Sequence, residues 1–255
     1  MKIAEEIRKA YQYESIGFIV WGTRGWGKST YCAHACAEAL VPFMDKPDYE
    51  ATKKVLIFTP KEFCDKVLNT QGKQPLLWWD DAGYWLNRLF WNERFVREAL
   101  RYMTLARTQF ATILFSTPSL KMLPNKLLEQ EDVYRVKIKS LEGYADNDCP
   151  KWRWRTAHVR KYWVADYDPR KCGSAPAWVD TFSSFMPDDF FEWYEPIREK
   201  YLETVKVLIA KAYARIYKKM EKDFQIELEN QIDRTIPDEK TLKEVGEVTQ
   251  NFREE

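Results

Sequence analysis

Residues 18–30 read FIVWGTRGWGKST, an apolar run followed at once by three glycines within six positions, a lysine and two hydroxyls. The chain holds nine glycines in 255 residues, so a third of them serve one turn. Gly22, Gly27, Lys28 and Ser29 satisfy G-x-x-x-x-G-K-[ST], with Gly25 between them. Such a loop must curl tightly, take positive φ at some positions and bring successive N–H groups against phosphate oxygens with no Cβ in the way. It also needs a strand before it and a helix after it, with the positive end of the helix dipole on the anion. The run before Gly22 suits a strand and the residues after Gly27 suit a helix, which a chance glycine-rich turn would not require. Gly22, Thr23, Arg24, Gly25, Trp26, Gly27, Lys28, Ser29 and Thr30 are therefore expected around the phosphates of a nucleotide. Lys28 would reach the β/γ-phosphates and Ser29 Oγ would ligate Mg²⁺.

Further apolar runs at 16–21, 55–59, 75–79, 112–116 and 133–138 read as strands, with helical segments after Gly27, after Pro60 and over 92–106. Strands separated by crossover helices predict an α/β fold, a mostly parallel sheet covered on both faces. Three regions follow: a nucleotide-binding core over 1–142, an aromatic and basic region with a β-hairpin over 143–196, and a helical extension over 197–255. Residues 180–196 read as an aromatic-rich loop packing back on the body. From Ile197, residues Val205, Ile209, Ala212, Ile216, Met220 and Phe224 recur at three- to four-residue steps, the mark of a helix with one packed stripe. The last 17 or so residues are charged and are expected to fray.

Forty basic against 39 acidic residues leave a net charge of +1, so no global field draws the chain to a polyanion. Any such attraction must be local. The N-terminal stretch is charged and no apolar run approaches the roughly 18 residues of a membrane span, which argues for a cytoplasmic protein without a leader. Five cysteines without a framework spacing agree with a reducing compartment. Cys32, His34 and Cys36 resemble a metal triplet, but on a helix the two cysteines share a face and His34 points away, so no cysteine metal site is expected.

A second motif lies about fifty residues beyond the glycine loop. Residues 76–83, LLWWDDAG, form an apolar strand ending in two carboxylates. Asp80 at the strand end suits a Mg²⁺ ligand, and Asp81 suits a base that polarises a water for in-line attack; a solvated Asp pair closing a strand is the plainer alternative. Together these residues resemble the P-loop ATPases that carry an additional strand between the two Walker motifs, and among them the group of FtsK, HerA and the Zot-like proteins of viruses and plasmids. The likeness covers about residues 14–140: GTRGWGKS, LLWWDDAG, a helix ending LART before ATILFSTPS, and the closing strand VYRVKI. It implies a nucleotide-driven machine, often a homo-hexamer, that moves or remodels DNA. Two departures stand out. The family usually has Glu where this chain has Asp81, and Gln at the end of the fourth strand where this chain has Ser116 and Thr117, which the resemblance then makes the γ-phosphate sensors.

Arg107 precedes the 112–116 strand, whose length at about 3.3 Å per residue puts it roughly 20 Å from the carboxyl edge where nucleotide binds. It would reach a neighbouring subunit's nucleotide more readily than its own, with Arg101 the alternative, or it complements the helix dipole. Lys151, Arg153 and Arg155 alternate with Trp152 and Trp154, and Arg160 and Lys161 precede Tyr162 and Trp163. On a strand this sets cations against aromatics, for DNA phosphates and bases or for a core with a solvated face. The expected function is Mg-dependent ATP hydrolysis coupled to DNA translocation, packaging or replication. A nucleotide-gated switch that recruits a partner is the competing reading, and a P-loop small-molecule kinase a weaker one, since a kinase needs no second carboxylate.

Overall fold

The computed structural model describes residues 1–90, 92–130, 132–140, 154–165 and 168–235. Lys2–Tyr13 (α1) precedes Ile16–Trp21 (β1), which the glycine loop joins to Lys28–Ala39 (α2). There follow Tyr49–Val55 (α3), Leu56–Ile57 (β2), Pro60–Asn69 (α4), Leu77–Trp79 (β3), Ala82–Trp85 (α5), Arg94–Leu105 (α6) and Thr112–Thr117 (β4). Asn125–Leu128 (α7), Val133–Ser140 (β5), Trp154–Ala165 (β6), Asp168–Ser183 (β7) and Asp188–Thr235 (α8) complete the order.

The strands form a sheet in the order β2-β3-β4-β1-β5-β6-β7, with β1 to β5 paired in parallel and β6 and β7 added antiparallel at one edge. The two-faced burial is visible in one dipeptide. Trp78 and Trp79 point to opposite faces of β3, and both are 0% exposed, so helices must cover both sides. On one face Trp79 stacks on Phe63 of α4 with centroids 4.8 Å apart, and Tyr102 of α6 meets the same Phe63 ring edge-on. Truncating a side chain so buried costs about 3–5 kcal/mol.

The expected strands and crossover helices of the core are present. The second strand is shorter than expected, two residues instead of five, because α3 runs to Val55 and the Glu62 carboxylate takes the N–H groups of Phe58 and Thr59. The charged N-terminal stretch, to which no element was assigned, is an amphipathic helix burying Ile3, Ala4, Ile7 and Ala10. Its N-terminus is held from a distance: the buried Asp180 carboxylate on β7 accepts from Lys2 N at 2.9 Å, Ile3 N at 3.3 Å and Tyr31 Oη at 2.8 Å. A carboxylate at that end satisfies orphan donors and complements the dipole.

Residues 180–196 are not the expected loop. The first four belong to β7, and α8 starts at Asp188, with Asp188 and Asp189 in its first turn and Pro196 inside it. The Pro187 carbonyl accepts from Phe190 N and Phe191 N and so opens the helix ahead of Ile197.

The chain divides into two units, Met1–Tyr194 and Glu195–Glu255. In the second, the described residues are the remainder of α8. The stripe expected to be packed is exposed at Ile209, Ile216 and Met220, since the described residues of that unit hold no second element to cover it. The side chains at 212 and 224 and the charged tail beyond 235 lie outside the described residues.

Candidate active site

β1 delivers the chain to Gly22, whose φ is +149° and whose hypothetical Cβ would lie 2.9 Å from the Ile138 carbonyl oxygen of β5. Gly25 and Gly27 have φ of +77° and +81°, the left-handed region that glycine takes without strain. α2 then begins at Lys28 with no side chain capping it. A helix N-terminus without a side-chain cap is a place an anion can occupy. Lys28 is buried and its Nζ donates to the Thr23 carbonyl at 3.1 Å, folded over the loop. Thr23, Arg24 and Gly25 are exposed, Trp26 and Ser29 half-buried and Thr30 buried.

β3 ends at Asp80, which is 0% exposed. A buried carboxylate is costly unless hydrogen-bonded, and here three hydroxyls meet it. Ser29 Oγ lies 3.1 Å from both carboxylate oxygens, Ser116 Oγ donates to Oδ1, and Tyr194 Oη donates to Oδ2 at 2.5 Å. The sheet order explains this meeting. β4 pairs with β1 through Val20↔Ser116 and with β3 through Trp79↔Phe115, so Ser116 stands between the glycine loop and Asp80. Ser116 Oγ also accepts the Asp81 N–H at 2.9 Å. Asp81 itself has φ +49°, a left-handed conformation that Asp tolerates better than most residues and that sparsely populates functional turns. Hydroxyl and carboxylate oxygens are the hard donors Mg²⁺ takes, so Ser29 and Asp80 fit that ion in donor type and proximity.

Thr117 is buried, donates to the Ser119 carbonyl at 3.1 Å and leaves no room for a side chain at Gly83 of α5. Arg107 is exposed in the 3₁₀ turn Ala106–Thr108 ahead of β4, at the opposite edge of the sheet from the glycine loop, and is not brought to the site. Arg101 is exposed on α6 and paired with Glu98 at 2.9 Å. Cys32 and Cys36 are buried on α2, and burial pushes both thiols well above their ordinary range, away from the thiolate a metal would need. His34 instead bridges Tyr49 Oη and the Ser183 carbonyl, and burial lowers its pKa. No group of three potential metal ligands of the His, Cys, Asp or Glu type occurs among the described residues.

Of the basic and aromatic stretch, Lys151, Trp152 and Arg153 lie outside the described residues. On β6 a register shift between Val159 and Arg160 turns both Arg160 and Lys161 outward, so strict alternation fails. Arg160 Nε donates to Ser174 Oγ at 3.0 Å, and Lys161 Nζ sits 5.9 Å above the Tyr134 ring. Arg155 is half-buried, Trp154 is 54% and Trp163 46% exposed, and it is Tyr162 that is buried. Trp154 and Trp163 are thus not core residues.

Tyr194 is the contact that sequence reasoning missed. It is 114 positions from Asp80, and nothing in its local sequence marks it. The end of β7 was missed as well: Phe182 packs on Tyr31 with centroids 4.9 Å apart, and Ser184 lies where a Cβ at Gly27 would come to 3.4 Å.

The strand carrying Ser116 and Thr117 lies between the strand that feeds the glycine loop and the strand that ends in Asp80. A strand in that place is what the resemblance to the additional-strand P-loop ATPases implies. No family model matches the chain. It is 25% identical over 194 residues to the uncharacterized protein B-251 of Sulfolobus spindle-shape virus 1, a match spanning 72% of this chain and 74% of that protein. Among solved structures it is similar to the N-terminal domain of zonular occludens toxin from Neisseria meningitidis, with 16% identity, a TM-score of 0.37 and coverage of 70% and 97% of the two chains. It is also similar to the genome packaging NTPase B204 of Sulfolobus turreted icosahedral virus 2 in complex with AMPPCP, with 13% identity, a TM-score of 0.35 and coverage of 58% and 92%. No helix among the described residues is long and apolar enough to cross a membrane.

Proposed function

We propose that the chain binds and hydrolyses ATP with Mg²⁺ and couples hydrolysis to work on viral or plasmid DNA, as a homo-oligomer in the cytoplasm. The observation that carries the nucleotide reading is the Ser29–Asp80 contact, which joins the glycine loop to a carboxylate 51 positions away. In this reading the loop N–H groups and the α2 N-terminus hold the phosphates, and Lys28 leaves the Thr23 carbonyl for the β/γ-phosphate oxygens. Ser29 and Asp80 hold Mg²⁺, which when bound neutralises charge on the phosphates. Asp81, with its N–H anchored on Ser116, orients a water in line with the γ-phosphorus and accepts its proton. Ser116 and Thr117, at the end of β4, sense the γ-phosphate.

The DNA reading draws support from exposed Trp163 near outward Arg160 and Lys161, and from exposed Trp154 at the other end of β6, stacking surfaces and cations that suit single strands. The 25% identity with a viral protein agrees with a viral setting. Phosphate release measured with and without single- and double-stranded DNA tests both halves: DNA should accelerate release. Asp81, one methylene shorter than glutamate, favours the switch as second reading, and nucleotide binding without any release would select it.

A further inference from the structure

The nucleotide reading uses Ser29, Asp80, Asp81 and Ser116, and leaves one partner of the buried carboxylate without a role. Tyr194 is 3% exposed, near the start of α8, and its hydroxyl donates to Asp80 Oδ2 at 2.5 Å. Its ring is fixed from two sides, 5.7 Å from Phe58 beyond β2 and 6.2 Å from Phe190 one turn earlier. Phe190 in turn packs on Tyr49 of α3. The hydroxyl is therefore held by packing, and the carboxylate is held by the hydroxyl. Ser116 fixes Oδ1 from the sheet side and Tyr194 fixes Oδ2 from the helix side.

We infer that Tyr194 is a positioning residue for the metal-binding carboxylate, fixing Oδ2 from outside the glycine loop and the sheet. The inference rests on the proposal that Asp80 holds Mg²⁺ beside the nucleotide. A carboxylate fixed at both oxygens loses little rotamer freedom on meeting the ion. Without the phenol, Oδ2 keeps only the Ser29 contact at 3.1 Å, and a buried charge is left short of a donor.

The test is binding of a fluorescent ATP analogue to the full chain, titrated with Mg²⁺ and repeated in chelator. Tyr194→Phe keeps the ring and removes the hydroxyl. It should raise the Mg²⁺ concentration for half-maximal binding about tenfold, with metal-free affinity unchanged. Phe58→Leu keeps the hydroxyl and loosens one ring contact, and should lower Tm while shifting the Mg²⁺ midpoint far less than Tyr194→Phe does. An unchanged midpoint in Tyr194→Phe, or an equal shift in Phe58→Leu, overturns the positioning role and reduces Tyr194 to packing. Wild-type protein that binds the analogue equally with and without Mg²⁺ is a different result, one that removes the metal reading of Asp80 itself and this inference with it.

Discussion

α2 and α4 occupy equivalent places in the fold, each following a parallel strand at the same edge of the sheet, and their N-termini are built in opposite ways. α4 closes on itself. Thr59 Oγ1 accepts from Glu62 N at 3.3 Å, the Glu62 carboxylate accepts from Thr59 N at 2.9 Å, and Pro60 removes a further donor that would need a partner. α2 starts from a left-handed Gly27 with no capping side chain. Both helices aim the same dipole at the same edge, so the dipole alone does not make a phosphate site. What distinguishes them is whether the chain spends its own side chains on the first-turn donors or leaves them for a ligand.

Mutations at the two ends should separate accordingly. The largest effect is expected for Lys28→Ala, which removes the cation of the open terminus: hydrolysis should fall to background in a phosphate-release assay, with nucleotide binding severely weakened. Unchanged binding and turnover in the folded variant would erase the contrast altogether.

Next in size is Asp81→Asn, which should keep Mg-nucleotide binding and lose about 10²–10⁴-fold in turnover, the worth of a positioned base. Asp80→Asn should instead weaken the metal-dependent part of binding, read by titration with and without chelator. Equal turnover in both variants and the wild type would remove chemistry from the open terminus.

An intermediate effect is expected from mixing Arg107→Ala subunits, whose glycine loop is intact, with Lys28→Ala subunits, whose arginine is intact. Partial recovery of phosphate release, in a wild type whose specific activity rises with protein concentration, would make the open terminus of one subunit depend on an exposed residue of the next. A mixture no more active than its parts, with concentration-independent wild-type activity, confines the site to one chain.

The smallest effects compare the caps directly. Gly27→Ala forces a side chain into φ +81°, at a cost of about 1–2 kcal/mol, and should lower both stability and nucleotide affinity. Thr59→Ala breaks the capping box of α4 and should cost about 1 kcal/mol in denaturant unfolding while leaving nucleotide affinity untouched. Loss of affinity in Thr59→Ala would mean the two helix ends are not independent.

The sequence by itself determined the parts whose causes are local. Three glycines within six positions specify a tight turn with positive φ between a strand and a helix, because backbone conformation depends on adjacent residues. Alternating apolar runs and helical segments specify a parallel sheet, because period and crossover length are written along the chain. The limit is visible at Tyr194, Asp180 and the start of α8. Tyr194 meets Asp80 across 114 positions and Asp180 caps α1 across 178, and neither contact leaves a pattern in its neighbours. Pro196 reads as the end of a loop yet lies within a helix, since the buried Phe190 and Tyr194 outweigh one lost hydrogen bond. Tertiary structure alone decided that Trp154 and Trp163 face outward and that Ser116 joins the Asp80 carboxylate to the Asp81 N–H, because burial and strand neighbours follow from how the sheet is ordered, and that order is a property of the packed chain as a whole.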